Sequence, residues 1–266
     1  MAEGVFAKLD ESLQKALDER GWKPTPVQQV TQEEISSGGD RLVVAPTGSG
    51  KTMAAVLPLL DRCLKQGWTG MSILYITPLR ALNRDVDRRL EEITQAVGLR
   101  LGLRHGDTTQ SERNKQVRNP PNIMITTPET FQIMFTGSKL RELLKSVQAV
   151  VIDELHEMAD GERGWQLSVG ISRLESFIGR TVQKVGLSAT VGNPEQVAKW
   201  LSDNAESIVA VAPRSTELSV DAVIQMPEDE IGSLELAISP RAHATLRGLA
   251  DIISKNNPCL IFVNSR

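Results

Sequence analysis

Short runs of apolar, β-favouring residues recur along most of the chain, and each is separated from the next by a helical pattern. The runs are RLVVA (Arg41 to Ala45), SILYIT (Ser72 to Thr77), LRLGLRH (Leu99 to His105), NIMITT (Asn122 to Thr127), AVVID (Ala149 to Asp153) and KVGLSA (Lys184 to Ala189). Between them lie stretches with helical spacing, such as KTMAAVLPLLDRCLKQ, RALNRDVDRRLEEITQAV and WQLSVGISRLESFIG. Strands that read as continuous apolar runs, alternating with helices, predict an α/β fold: a parallel sheet flanked by helices on both faces. In such sheets ligands gather beyond the carboxyl ends of the strands. Five polar strings, PTGSGKT, TPLR, TTPE, DELH and SAT, each follow a strand directly. Their shared position points to one functional edge.

After AKWLSDNAESIVAVAP the pattern changes. ELSVDAVIQ alternates as a strand with one wetter face, and MPEDEIGSLE reads as an acidic, turn-rich loop. SPRAHATLRGLADIISKNNP then predicts a fresh helix with Ser239 as N-cap and Pro240 at its first position. A boundary near Pro213 divides the chain into a first domain, 1–212, and a segment, 213–266, that begins another. CLIFVNSR, from Cys259 to Arg266, reads as a buried strand, which belongs in the middle of a sheet rather than at its end.

Composition narrows the class only a little. The 266 residues carry a net charge of -3, which is compatible with a nucleic-acid partner if basic residues line one groove. Cys63 and Cys259 stand far apart, so a disulfide framework or zinc site is not expected, and a reducing, cytoplasmic setting is. No apolar run reaches the roughly 18–20 residues needed to span a bilayer.

APTGSGKT follows a strand and opens a helix. Gly48 and Gly50 permit a tight loop whose backbone N–H groups, from Thr47 through Ser49, turn inward toward phosphate oxygens. Lys51 supplies charge to the β- and γ-phosphates, and the Thr52 hydroxyl is placed to ligate Mg²⁺. About a hundred residues later VVIDELHE puts two acids at the end of a buried strand. Asp153 is placed to hold Mg²⁺ through water, and Glu154 to polarise an attacking water as general base. A kinase or transport ATPase could share this pair, so it points to hydrolysis and not to its purpose. His156 has no second histidine or cysteine near it in sequence with zinc-site spacing.

Taken in order, APTGSGKT, TPLRALNRD, GDTTQSER, TTPET, DELH and SAT resemble the motif set of superfamily 2 helicases of the DExH type. TTPETFQIMF, DELHEMADGERGWQLSVGISRLE and GLSATVGNPEQVAKWL resemble the Lhr (large helicase-related) family in particular. The resemblance implies a RecA-like P-loop domain that binds ATP with Mg²⁺ and grips single-stranded DNA or RNA, translocating 3′ to 5′. It makes Gln28 the reader of the adenine edge, with Pro24 and Thr25 shaping its loop. It makes Thr77, Pro78, Leu79 and Arg80 one backbone-gripping motif, with Gly106 and Asp107 in HGD, and Thr126, Thr127, Pro128 and Glu129, as two more. Ser188 and Thr190 would couple the γ-phosphate to that grip, with His156 as their neighbour. The terminal strand then resembles the first strand of a second RecA-like domain, so arginine fingers and further C-terminal domains are expected outside this chain. Nucleotide binding with negligible turnover follows. The competing expectations are a non-motor, ATP-gated nucleic-acid-binding module and a metabolic P-loop kinase or ATPase. Arg163 and Arg104 read as solvated charges.

Overall fold

The computed structural model describes residues 4–78, 88, 90–159, 161–189, 192–209, 234 and 236–255. The chain divides into two compact units, Met1–Pro213 and Arg214–Arg266. Leu79, Arg80, Thr190, the ELSVDAVIQ segment and the terminal CLIFVNSR run lie outside the described residues.

In the first unit the predicted strands form as β1 (Arg41–Val44), β2 (Ile73–Ile76), β3 (Leu101–Arg104), β4 (Ile123–Thr126), β5 (Ala149–Ile152) and β6 (Gln183–Ser188). A further strand, β7 (Glu206–Val209), completes a seven-stranded sheet of order β3-β4-β2-β5-β6-β1-β7. Every pairing is parallel. The sequence pattern missed β7 because its residues are only half buried or exposed. It sits at the sheet edge beside β1, where apolar character is not demanded.

Alternation along the strands sends neighbouring residues to two separate cores. Val43, Ile73, Tyr75, Val151, Val185 and Leu187 join one, with residues of α1 (Glu11–Asp18), α2 (Pro26–Ser36) and α3 (Lys51–Lys65). Leu42, Val44, Leu74, Ile76, Val150 and Ile152 join the other. That second core is covered by α5 (Pro128–Met134), α6 (Ser138–Leu144), α7 (Leu155–Met158), α8 (Glu162–Ile178) and α9 (Pro194–Leu201). Burial on both faces is why the strands read as unbroken apolar runs. The short α4 (Gln110–Arg118) has no buried residue.

Helix starts follow the expected chemistry. Thr127 and Asn193 cap α5 and α9 through their side-chain oxygens, and Pro128 and Pro194 take the first helical position, where a missing N–H costs nothing. α8 stops at Gly179, whose φ of 72° a side chain would resist. In the second unit α10 (Pro240–Lys255) begins as expected, with Ser239 Oγ accepting from the Ala242 N–H at 3.2 Å.

The joint between α7 and α8 has no space for a side chain at Gly164. A Cβ there would stand 1.9 Å from the Met158 carbonyl oxygen and 3.4 Å from the Trp200 ring. Gly164→Ala should therefore force these helices apart and lower unfolding stability by about 1–3 kcal/mol, the usual cost of overpacking. Urea denaturation of the two proteins measures this; equal midpoints would mean that the joint is not close-packed.

Candidate active site

Parallel pairing brings the ends of β4, β2, β5, β6 and β1 to one edge of the sheet in that order. Beyond β1 the chain turns through Pro46 to Gly50 and enters α3. Gly48 and Gly50 both have positive φ, 80° and 93°, so the loop depends on the backbone freedom the sequence supplied there. At Gly50 there is also no room for a side chain, since a Cβ would lie 2.9 Å from Gln28 Nε2 and 3.2 Å from Thr25 Oγ1. α2 thus begins directly against the loop. Gln28 Oε1 accepts from the Thr25 N–H at 3.0 Å, and its Nε2 donates to the Gly50 carbonyl at 3.4 Å. Pro24 and Thr25 are half-buried beside it, while Thr47 and Gly48 are exposed at the loop tip.

Lys51 is 7% exposed, and its Nζ has no hydrogen-bond acceptor among the described residues. Ser49 Oγ, in the same loop, is likewise buried and unpartnered. A buried ammonium without an acceptor is costly unless a ligand supplies one. Phosphate oxygens fit that need.

Beyond β5 stand Asp153 and Glu154. The Asp153 carboxylate is held at both oxygens: Oδ1 accepts from the Glu154 N–H at 2.9 Å and Oδ2 from the Tyr75 hydroxyl at 2.5 Å. Burial pushes its carboxyl above the ordinary range, outweighing the Tyr75 and Glu154 hydrogen bonds and the Lys51 charge. Glu154 is raised too, by burial first and then by Asp153. Glu154 also adopts φ 48° and ψ 44°, a left-handed conformation that non-glycine residues seldom take. Such strain at the start of α7 aims its side chain without a glycine. No group of three or more His, Cys, Asp or Glu suited to a metal is found among the described residues. A divalent cation here would accordingly take Thr52 and Asp153 with water and phosphate oxygens, the oxygen-rich set that Mg²⁺ prefers.

Past the paired residues, two hydrogen bonds fix the end of β6. The Ser188 carbonyl accepts from Ala45 N–H at 3.2 Å, at the entry to the glycine loop. The Ala189 N–H donates to His156 Nδ1 at 3.3 Å, and His156 Nδ1 stands 3.6 Å from Glu154. Ser188 is fully buried, and its hydroxyl has no partner among the described residues. Asp153, Glu154, His156 and the end of β6 are thus joined by contacts, and the Lys51 charge acts on both Asp153 and Glu154.

The strand-gripping candidates form a second group. Thr77 N–H donates to the Thr126 carbonyl at 3.0 Å, and both hydroxyls are buried without partners among the described residues. Pro78, Thr127 and Pro128 are buried, and Glu129 is exposed. Thr127 Oγ1 is taken up in capping Thr130 N–H at 3.3 Å. Gly106 and Asp107 lie past the edge strand β3; the Gly106 carbonyl accepts from Arg113 at 3.0 Å. Arg163 corrects the sequence reading: it donates to Glu129 at 2.8 Å and to the Pro78 carbonyl at 3.2 Å, bridging two of the candidate motifs. Arg163 itself stays half exposed, whereas Arg104 is not a solvated charge. It is 6% exposed and donates to Gln116 at 3.0 Å. Nothing in the sequence marks Arg163 as a bridge, because its partners are 34 and 85 positions away.

A glycine loop between β1 and α3, facing paired acids beyond β5 of a parallel sheet, defines a RecA-like P-loop domain. The chain belongs to the DEAD/DEAH box helicase family, whose model matches residues 25–197. Among curated proteins it is 37% identical over 259 residues to the Lhr helicase/probable uracil glycosylase of Mycolicibacterium smegmatis, covering 91% of this chain and 17% of that protein. It is 35% identical to the ATP-dependent helicase Lhr-Core of Methanothermobacter thermautotrophicus, covering 91% of this chain and 30% of that one. A solved structure, Mycobacterium smegmatis helicase Lhr bound to ssDNA and AMP-PNP, matches with a TM-score of 0.71 and 36% identity, over 79% of this chain and 28% of that chain. The chain thus spans at most 30% of the length of these relatives. Among the described residues, no helix is long and apolar enough to cross a membrane.

The buried acid gives a stability test. A carboxyl whose folded pKa lies above its unfolded value favours folding at low pH and loses that contribution as pH rises through the folded value. At neutral pH the ionised Asp153 is therefore a liability to the nucleotide-free protein. Asp153→Asn should raise its thermal midpoint at pH 7, with the gain shrinking as pH falls through the raised folded value and gone once pH drops below the ordinary Asp value. A gain that is constant across pH would assign the effect to packing instead.

Proposed function

We propose that this chain is the ATP-binding motor domain of an ATP-dependent helicase or translocase acting on single-stranded DNA or RNA. The observation that carries the reading is the buried Lys51 ammonium, which lacks an acceptor inside a glycine loop opposite the Asp153–Glu154 pair. In this reading Thr47 through Thr52 cradle the phosphates, Lys51 neutralises their charge, and Gln28 reads the adenine edge with Pro24 and Thr25 shaping its approach. Mg²⁺, when bound, neutralises charge on the phosphates and lowers the cost of attack. Thr52 and Asp153 hold it, and Glu154 takes a proton from the attacking water, a role for which a raised carboxyl pKa suits it. Ser188, Thr190 and His156 report the phosphate state to the strand-binding edge.

That edge comprises Thr77, Pro78, Leu79, Arg80, Gly106, Asp107 and Thr126 to Glu129. Contacts of this type follow the sugar-phosphate backbone and leave base sequence unread. Residues 1–212 form the nucleotide-binding domain in this account, and 213–266 lead into a second RecA-like domain. The M. smegmatis relative bound to ssDNA and AMP-PNP supports both ligands by similarity. Completion of the ATP site and unwinding would draw on a second domain and on regions that the longer relatives contain. The free, buried thiol of Cys63 suits the reducing cytoplasm we assign to it.

Titration with labelled ATP should show Mg²⁺-dependent binding that Lys51→Ala abolishes. Equal affinity for GTP would remove Gln28 from its assigned role. Single-stranded DNA and RNA should bind with little sequence preference and weaken steeply with salt, each phosphate contact adding a slope of roughly −0.7 in log affinity against log salt. Arg163→Ala should weaken that binding by loosening Pro78 and Glu129. An affinity indifferent to salt would overturn the phosphate-tracking edge.

A further inference from the structure

Tyr75 is the single tyrosine in the chain. It lies in β2, fully buried, and packs in the same apolar core as Val43, Val151 and Val185. A phenylalanine would fill that space equally well, so the hydroxyl requires its own explanation. A buried phenol needs partners, and here both belong to the candidate metal site. The hydroxyl donates to Asp153 Oδ2 at 2.5 Å, and the Thr52 hydroxyl is a further hydrogen-bonding neighbour of the same phenol. Thr52 comes from the first turn of α3 and Asp153 from the end of β5, separated by about a hundred residues of sequence. Since Asp153 Oδ1 is already held by the Glu154 N–H at 2.9 Å, the phenol fixes the remaining rotational freedom of the carboxylate.

We propose that Tyr75 is a positioning residue for the divalent cation of the nucleotide site. Its hydroxyl sets the Asp153 carboxylate in register with the Thr52 hydroxyl. The proposal rests on the nucleotide reading above and deepens it. Partners one bond removed from a metal ligand orient that ligand, and their loss commonly weakens metal binding by about ten- to a hundredfold. In this chain the orienting group comes from the strand that continues through Thr77 and Pro78 into the candidate strand-gripping edge. The metal site and that edge therefore share one strand.

The test compares fluorescent ADP binding to the 266-residue chain and its Tyr75→Phe variant, in Mg²⁺ and in EDTA. The expected result is unchanged affinity in EDTA and about a tenfold smaller gain from Mg²⁺ in the variant. In the Asp153→Asn background the second substitution should have no further effect, because Tyr75 acts through Asp153. An equal Mg²⁺ gain in both proteins would overturn the proposal and leave the nucleotide reading standing. Equal losses with and without Mg²⁺ would mark Tyr75 as a packing residue only, which also overturns it. A parent chain that binds no nucleotide would instead sink the nucleotide reading and the proposal with it. Should Tyr75→Phe not fold, the parent chain grown with 3-fluorotyrosine carries one fluorine label, at this residue. Adding Mg²⁺ to its ADP complex should shift that ¹⁹F resonance, and Asp153→Asn should abolish the shift; a resonance indifferent to Mg²⁺ overturns the assignment.

Discussion

The structure depends on the parallel register of its central strands. Because Ile76 pairs with both Thr126 and Ile152, the ends of β4, β2 and β5 finish level with one another; Ile152 pairs with Gly186 and Val44 with Ser188, so β6 and β1 end together two residues further on. Each then releases its polar residues at the same edge, within hydrogen-bonding distance of its neighbours. A one-residue slip would turn every side chain of a strand to the opposite core, exchanging residues such as Val43 with Leu42 and Val44. Two-sided burial forbids that. Packing far from the ligand thus sets the positions of the chemistry.

The edge gives up stability to remain ready for a ligand. Lys51 and Asp153 are buried charges, and the protein alone satisfies only the second, through Tyr75 and the Glu154 N–H. Glu154 holds a strained backbone conformation. Hydroxyls of Ser49, Thr77, Thr126 and Ser188 are buried without partners among the described residues. Each of these departs from what a merely stable domain would do, and all fall at strand ends or in the loop beside them. Among the described residues Arg62 Nε and Trp200 Nε1 are orphaned elsewhere, but the concentration of such groups at this edge supports the nucleotide site proposed above.

Two clusters, one around the glycine loop and one around Thr77 and Thr126, are joined by short physical links. β2 carries Tyr75 against Asp153 and then Thr77 against Thr126. Arg163, the second residue of α8, five positions beyond the end of α7, reaches both Pro78 and Glu129. The Ala189 N–H on His156 and the Ala45 N–H on the Ser188 carbonyl complete a chain of contacts across β5, β6 and β1. In the function proposed above, these contacts are the route by which the phosphate end would act on the strand-gripping end.

The sequence by itself determined the layer architecture, six of the seven strands and the identity of the phosphate loop, because these depend on local period and on glycine at fixed offsets. Lys51, Asp153 and Glu154 were legible for the same reason: each follows a strand whose apolar run announces it. The edge strand β7 was not, since a half-exposed strand carries little apolar signal. Only the tertiary structure decided the partners of Tyr75 and Arg163. An apolar strand position accepts tyrosine or phenylalanine alike, and an arginine in a helix's first turn looks like any surface charge. Their roles arise from atoms brought together across 78 and 85 residues of chain, and no local pattern encodes a contact of that range.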